Sequence, residues 1–211
     1  AYKNFIKLND KQLNKEFNKY KLENDSWLDK DSLYEAFSLE NGSDYWPIWK
    51  NKQDKNIFNP KSNEEKIEFA KRIDEISKKY AQEIDEYKFE QFILYKQNLE
   101  TRKLAESKNI KMIADRQVAF SDRDCWAYQS LFLEGWCLGC PPDYFSKDGQ
   151  AWGFPVVNPE KLFNSDGSLG DAGILMKNLY KKMFHENPGG VRIDHIVGLI
   201  DPWVYKKGKK P

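Results

Sequence analysis

The sequence predicts an α/β fold, with helix filling roughly the first half and two short strands falling in the second. Three observations predict it. Through residues 64–107 apolar side chains step by three or four, at Ile73, Ile76, Tyr80, Ile84 and Tyr87, then Phe92, Tyr95 and Leu99, which is the period of a helix with one apolar face. In 191–195 Val191 and Ile193 alternate with Arg192 and Asp194, the period of a strand. Ahead of that, Lys111 to Asp115 reads as a second strand following the long helical stretch. Residues 1–105 therefore form a mainly helical region, and 106–211 carry the strands.

In chain order, Asn24–Asp25–Ser26 is an N-cap signal, and Leu33 with Phe37 gives the following helix an apolar face. Asn41–Gly42 and the Asn59–Pro60 region break one helix from the next. The stripe over 64–107 is either core-facing or a short coiled-coil seam. Pro141 and Pro142 stiffen a loop that Asp148–Gly149 turns tightly. Pro188–Gly189–Gly190 is a turn that opens the second strand.

Composition narrows the function classes. The chain has 34 Lys and Arg against 33 Asp and Glu, a formal charge of +1, and no basic run except the closing KKGKK. Nucleic acid is not an expected partner. No apolar run reaches the ~18 residues of a membrane span, and the first residues lack a signal-peptide pattern. Cys137 and Cys140 form a C-x-x-C pair with Cys125 left over. A zinc site would need a second pair or nearby histidines, and only His185 and His195 exist. The expectation is three reduced thiols in a cytoplasmic protein, with no metal and no cofactor.

Two segments carry chemistry. Arg192 and Asp194 share one strand face, and charges on so apolar a strand must either pair or line a polar cavity. An adjacent arginine favours the ionised carboxylate, the form a nucleophile requires; a purely structural Arg–Asp pair is the other possibility. In 139–155, Asp143, Tyr144, Phe145, Gln150 and Trp152 crowd one loop. Aromatic rings there either plug onto the core or stack on the C–H faces of sugars, with Gln and Asp hydrogen-bonding the hydroxyls.

At these residues the chain resembles the 4-α-glucanotransferases, the amylomaltase or disproportionating-enzyme family of glycoside hydrolases. PPDYFS, GQ, WG and P run over about fifteen positions, and RIDH follows at about the separation that family shows. WLDKDSLYEAFSLENG and KFEQFILYKQNLETRKLAESKNIKMIAD extend the likeness upstream. The resemblance implies part of a (β/α)8 barrel with helical insertions. It implies Asp194 as a nucleophile forming a covalent glucosyl intermediate, Arg192 holding that carboxylate, and His195 beside the site. Gln150 and Trp152 would line the glucan site, with Asp143 beside them in the same loop and Tyr144 and Phe145 as an aromatic platform. Asp124 and Trp126 would match the family's acid–tryptophan pair.

The chain departs from the pattern at Arg116 and Gln117, where the family usually has a proline. In this it resembles a more divergent bacterial and plant cytosolic branch. The family's general acid lies on a later strand than any matched here, and a (β/α)8 barrel takes about 250 residues. The chain is therefore expected to be an excised central piece, bearing the nucleophile but not turning over alone. The implied reaction is retaining transfer of α-1,4-glucosyl segments between maltooligosaccharides. An α-amylase-type hydrolase and a non-catalytic glucan binder are the alternatives.

Overall fold

A computed structural model describes residues 1–209; the end of the KKGKK cluster, at 210–211, lies outside the described residues. The chain divides into two compact units, Ala1–Leu104 and the part from Ala105 onward.

The first unit is helical. Its helices are α1 (Tyr2–Leu8), α2 (Lys11–Glu23), α3 (Asp25–Asn41), α4 (Lys52–Lys55), α5 (Asn63–Lys79) and α6, which starts at Ala81 and ends at Ser107. Local chemistry sets the boundaries. Asp10 accepts from the Leu13 amide at 2.7 Å to start α2, and Ser62 accepts from Glu65 at 3.2 Å to start α5, each satisfying a helix-end donor. Gly42 takes the left-handed conformation, φ 69°, to end α3, a conformation that costs glycine little. Asn24 stands at the N-cap of α3 as expected, but its side chain caps no backbone amide; its Oδ1 accepts from the Trp27 indole at 3.1 Å. The helical stepping over 64–107 is real but belongs to two helices, since Tyr80 is the C-cap of α5.

An aromatic core forms from four of these helices: Tyr2 and Phe5 of α1, Phe17 and Tyr20 of α2, Leu28 of α3, and Phe89 and Phe92 of α6. Phe5 stacks on Phe89 with centroids 4.4 Å apart, and Phe17 meets Phe89 edge-on at 5.5 Å. Each such buried ring contributes roughly 1.5–3 kcal/mol by leaving water. Elsewhere in the unit, α3, α4 and α5 are tied by charge. Arg72 donates to both carboxylate oxygens of the fully buried Asp54, at 2.9 and 3.1 Å, and to Glu40 at 3.1 Å.

The second unit mixes helix and strand. It contains β1 (Ala114–Arg116), α7 (Asp122–Ala127), β2 (Phe132–Cys140), β3 (Gln150–Val157), α8 (Asp171–Glu186), β4 (Val191–Ile193), α9 (Val197–Ile200) and β5 (Val204–Lys206). β1 and β4 pair in parallel. β2 is the centre of a separate antiparallel sheet in the order β3-β2-β5. Its core gathers Phe120, Trp126, Ala127, Cys137, Leu138, Val156, Ala172 and Tyr205. The architecture is α/β, but the two parallel strands do not by themselves close a barrel.

Three expectations need correction. The strand placed at Lys111–Asp115 is shifted, to Ala114–Arg116. The strand placed at Val191–His195 stops at Ile193, because His195 turns left-handed at φ 50°. The two expected strands are also five among the described residues. In β2 the left-handed Gly135, φ 79°, and two register shifts break the regular alternation that would have flagged it. Among the described residues, no helix is long and apolar enough to cross a membrane.

Candidate active site

The parallel register decides what surrounds Arg192. Asp115 of β1 is the direct partner of Arg192 of β4, so the two side chains emerge side by side on one face. Arg192 donates through Nη1 to Asp115 Oδ2 at 2.6 Å and through Nη2 to Asp194 Oδ1 at 2.9 Å. One guanidinium thus bridges two carboxylates. Asp194 itself lies one residue beyond β4, and its amide donates to the Arg116 carbonyl at 2.9 Å. That bond carries the β1–β4 ladder one step further and fixes the backbone from which the carboxylate projects.

The three side chains are open to water, at 57% for Asp115, 60% for Arg192 and 53% for Asp194. Exposed pairs contribute only about 0–1 kcal/mol, so this chain of charges does little to hold the fold. Its effect is orientation: Asp194 is aimed by the arginine with one oxygen engaged.

His195 follows in the left-handed region, which is uncommon for a residue with a Cβ and is held only where the surroundings determine it. The Trp152 ring meets the imidazole edge-on, centroids 4.9 Å apart and planes at 79°. The Trp152 indole in turn donates to Gln150 Oε1 at 3.0 Å. Gln150, Trp152, His195, Asp194 and Arg192 therefore form a contiguous series, drawn from β3 and the end of β4.

The segment read as one long loop is mostly hairpin. Gly139 and Cys140 end β2, residues 150–155 belong to β3, and the true loop is 141–149. The tight turn expected at Asp148–Gly149 is present: the Gly149 amide donates to the Ser146 carbonyl at 3.1 Å, with Gly149 at φ 72°. Asp143 Oδ1 accepts from the amides of Phe145 and Ser146, at 2.9 and 2.6 Å. At the crest, Tyr144 and Phe145 are 93% and 91% exposed and meet edge-on at 5.4 Å. They do not plug onto the core.

Asp124 and Trp126 stand differently. Asp124 is the third residue of α7 and forms a capping box with Ser121, accepting from its amide at 3.2 Å and its hydroxyl at 2.7 Å. Trp126 is fully buried, which leaves its ring no open face for a sugar. The described hydrogen bonds of the Asp124 carboxylate run to Ser121.

All three cysteines are free. Burial, helped by Asp122 and Asp124, pushes the Cys125 thiol up to about 12. Among the described residues no cluster of three His, Cys, Asp or Glu side chains offers a metal site. The sequence reading missed the partnership of Asp115 with Arg192. The clue was present in the two acid-ending strands, but only their parallel pairing and register make it visible.

Comparison with known proteins follows the same lines. The chain matches the family described as 4-alpha-glucanotransferase over residues 1–211. It is 30% identical to the 4-alpha-glucanotransferase of Clostridium butyricum over 225 aligned residues, covering 100% of this chain and 40% of that protein. It is 30% identical to that of Aquifex aeolicus over 169 residues, covering 76% and 31%. Among solved structures it is similar to the amylomaltase from Streptococcus agalactiae in complex with acarbose, with a TM-score of 0.79 at 21% identity, covering 99% of this chain and 40% of that one. The chain thus spans less than half the length of these proteins. With the whole of its sequence matched, the chain belongs to the 4-alpha-glucanotransferase family.

Proposed function

We propose that the protein transfers α-1,4-glucosyl segments between maltodextrins, with Asp194 as the nucleophile. The observation that supports this most is the Arg192 bridge: a carboxylate at the end of a parallel strand, held at one oxygen by a guanidinium and open to solvent at its other side. On this reading β1 and β4 are neighbouring staves of a (β/α)8 barrel, whose strand ends are where such enzymes place their chemistry.

Asp194 attacks the anomeric carbon of a bound glucan as the glycosidic C–O bond breaks. A second carboxyl protonates the departing sugar oxygen. The 4-hydroxyl of another glucan then displaces Asp194, giving its proton to that same second carboxyl, and two inversions restore the α configuration. Retaining chemistry places the two carboxyls about 5–5.5 Å apart. Asp115 is engaged by Arg192 Nη1 and serves as the arginine's counter-charge; the proton donor belongs to a later strand of the family.

Tyr144 and Phe145 offer exposed ring faces to the glucan, and Gln150 and Trp152 line the approach to Asp194. Asp143 holds the loop's shape. The acarbose complex of the streptococcal amylomaltase is in keeping with an oligosaccharide ligand. Transfer prevails over hydrolysis where the acceptor sugar occupies the site and water is kept out. Three free thiols suit a reducing compartment such as the cytoplasm.

Maltotriose supplied to the protein expressed from its whole reading frame tests this. Glucose together with a ladder of longer maltodextrins is the expected result. Glucose and maltose without longer products would mean hydrolysis, and no product at all would leave a glucan binder. Asp194→Asn should abolish covalent trapping of the donor; trapping that persisted would name another nucleophile.

A further inference from the structure

β3 contains an irregularity at the residue that meets His195. Leu138 of β2 pairs with Phe154, yet the next residue, Gly139, pairs with Ala151. One step on β2 therefore spans three on β3, and Trp152 and Gly153 are the extra pair. Gly153 takes the left-handed conformation, φ 76°, and its amide has no ladder partner on β2. Bulges of this kind redirect side chains and are enriched beside functional sites.

The orphaned amide is satisfied from the opposite edge of the sheet. Tyr205 lies on β5, on the far side of β2, opposite Cys137. Its hydroxyl accepts from the Gly153 amide at 2.9 Å. To reach, the ring must cross β2, and it crosses at Gly139. A Cβ there would lie 3.1 Å from both Cδ1 and Cε1 of Tyr205 and 2.5 Å from the Gln150 carbonyl oxygen. Tyr205 is itself buried, at 8% exposure, so its hydroxyl has little recourse to water if this bond is lost.

We infer that Tyr205 is a positioning residue: its hydroxyl pins the bulge and so sets Trp152 against His195, next to Asp194. The path is short. Tyr205 fixes Gly153, Gly153 fixes the direction of the preceding Trp152, and Trp152 meets the imidazole at 4.9 Å. Gly139 is the gap that makes the path possible. Any effect on catalysis rests on the proposed function; the effect on geometry does not.

The test uses the whole-reading-frame protein with 13C-labelled histidine, the His195 signal being identified by its loss in His195→Gln. Trp152→Ala defines the position of that signal without the indole's ring current. In Tyr205→Phe, which keeps the ring, the His195 signal should move at least half of the way to that position, while the His185 signal stays in place. Gly139→Ala, which pushes on the same ring, should move it in the same sense. For maltotriose transfer, KM should rise about five-fold with kcat changed by less than about two-fold, the pattern of weakened substrate binding.

A His195 signal that stays put in Tyr205→Phe and Gly139→Ala but moves in Trp152→Ala would overturn the inference. So would one that Trp152→Ala leaves unmoved. Lack of transferase activity in the unsubstituted protein would sink the proposed function alone, because the histidine spectra report without turnover.

Discussion

Gly198 lies directly beneath the His195 imidazole: a Cβ at residue 198 would sit 2.8 Å from His195 Cδ2 and 2.9 Å from Val118 Cγ2. The left-handed histidine is therefore packed against both the Trp152 ring and a bare backbone. Gly198→Ala should displace the imidazole from its present setting against Trp152. On the proposed function, kcat/KM for maltotriose should fall about ten-fold or more, as displacements near 1 Å in a reacting site commonly cause. Unchanged kinetics together with an unchanged His195 NMR signal would show that the pocket yields freely.

Arg192→Lys keeps the charge but replaces a rigid fork by a single ammonium, which cannot bridge two carboxylates with the same geometry. On the proposed function, transferase activity should fall at least about 100-fold. The melting temperature should move little, because all three charges are exposed. A large loss of stability with retained activity would assign the bridge to the fold.

Arg72→Met tests the other ionic centre. It leaves the fully buried Asp54 without its guanidinium, and stranding one member of a buried pair costs about 3–5 kcal/mol. Urea unfolding should show that loss. Asn41, which also donates to Asp54 at 3.0 Å, cannot compensate a charge. A loss below about 1 kcal/mol would mean that other groups around Asp54 hold its charge.

Glu40 makes stability depend on acid. The Lys79 ammonium, against the opposing effect of burial and with Tyr80 and Arg72 also donating, brings its carboxyl from 4.5 down to about 2. The folded form therefore holds the carboxylate more strongly than the unfolded one. The stabilisation is complete above pH 4.5 and is lost as pH falls towards 2. Glu40→Gln should lower the urea midpoint at pH 7 and flatten its decline through that acid window. An unchanged pH profile would remove Glu40 from the account.

The cysteines should differ in reactivity. With its thiol raised to about 12, Cys125 remains protonated at pH 8 and should resist iodoacetamide in the native state. Cys140, only partly covered, should be alkylated first, ahead of the buried Cys137. Mass spectrometry after brief labelling reads the order, and early labelling of Cys125 would contradict it.

Much of this was legible from residue spacing, and the gaps have physical causes. Helix in 64–107 could be read because apolar residues recur every three or four, and Gly42 and the Asn59–Pro60 break could be read because backbone chemistry is local. Strand alternation put Arg192 and Asp194 on one face and left pairing or a polar cavity open; the structure pairs them. The bridge to Asp115 did not, since it depends on a parallel pairing across 77 residues of sequence. β2 and β3 escaped notice because bulges and left-handed glycines disrupt the alternation by which strands are recognised. Trp126 shows a further limit: a motif places a tryptophan near an acid, but only packing tells whether its ring faces water or the core.

The loop at 141–149 has a consequence for timing. Because the Asp143 carboxylate is already occupied by the amides of Phe145 and Ser146, the bend beneath the two exposed rings exists before anything arrives. On the proposed function, an incoming glucan meets a finished shape, and little ordering entropy remains to be lost on contact. Capture at that crest is then governed by how often molecules collide in the right orientation, and release by how many ring faces are covered.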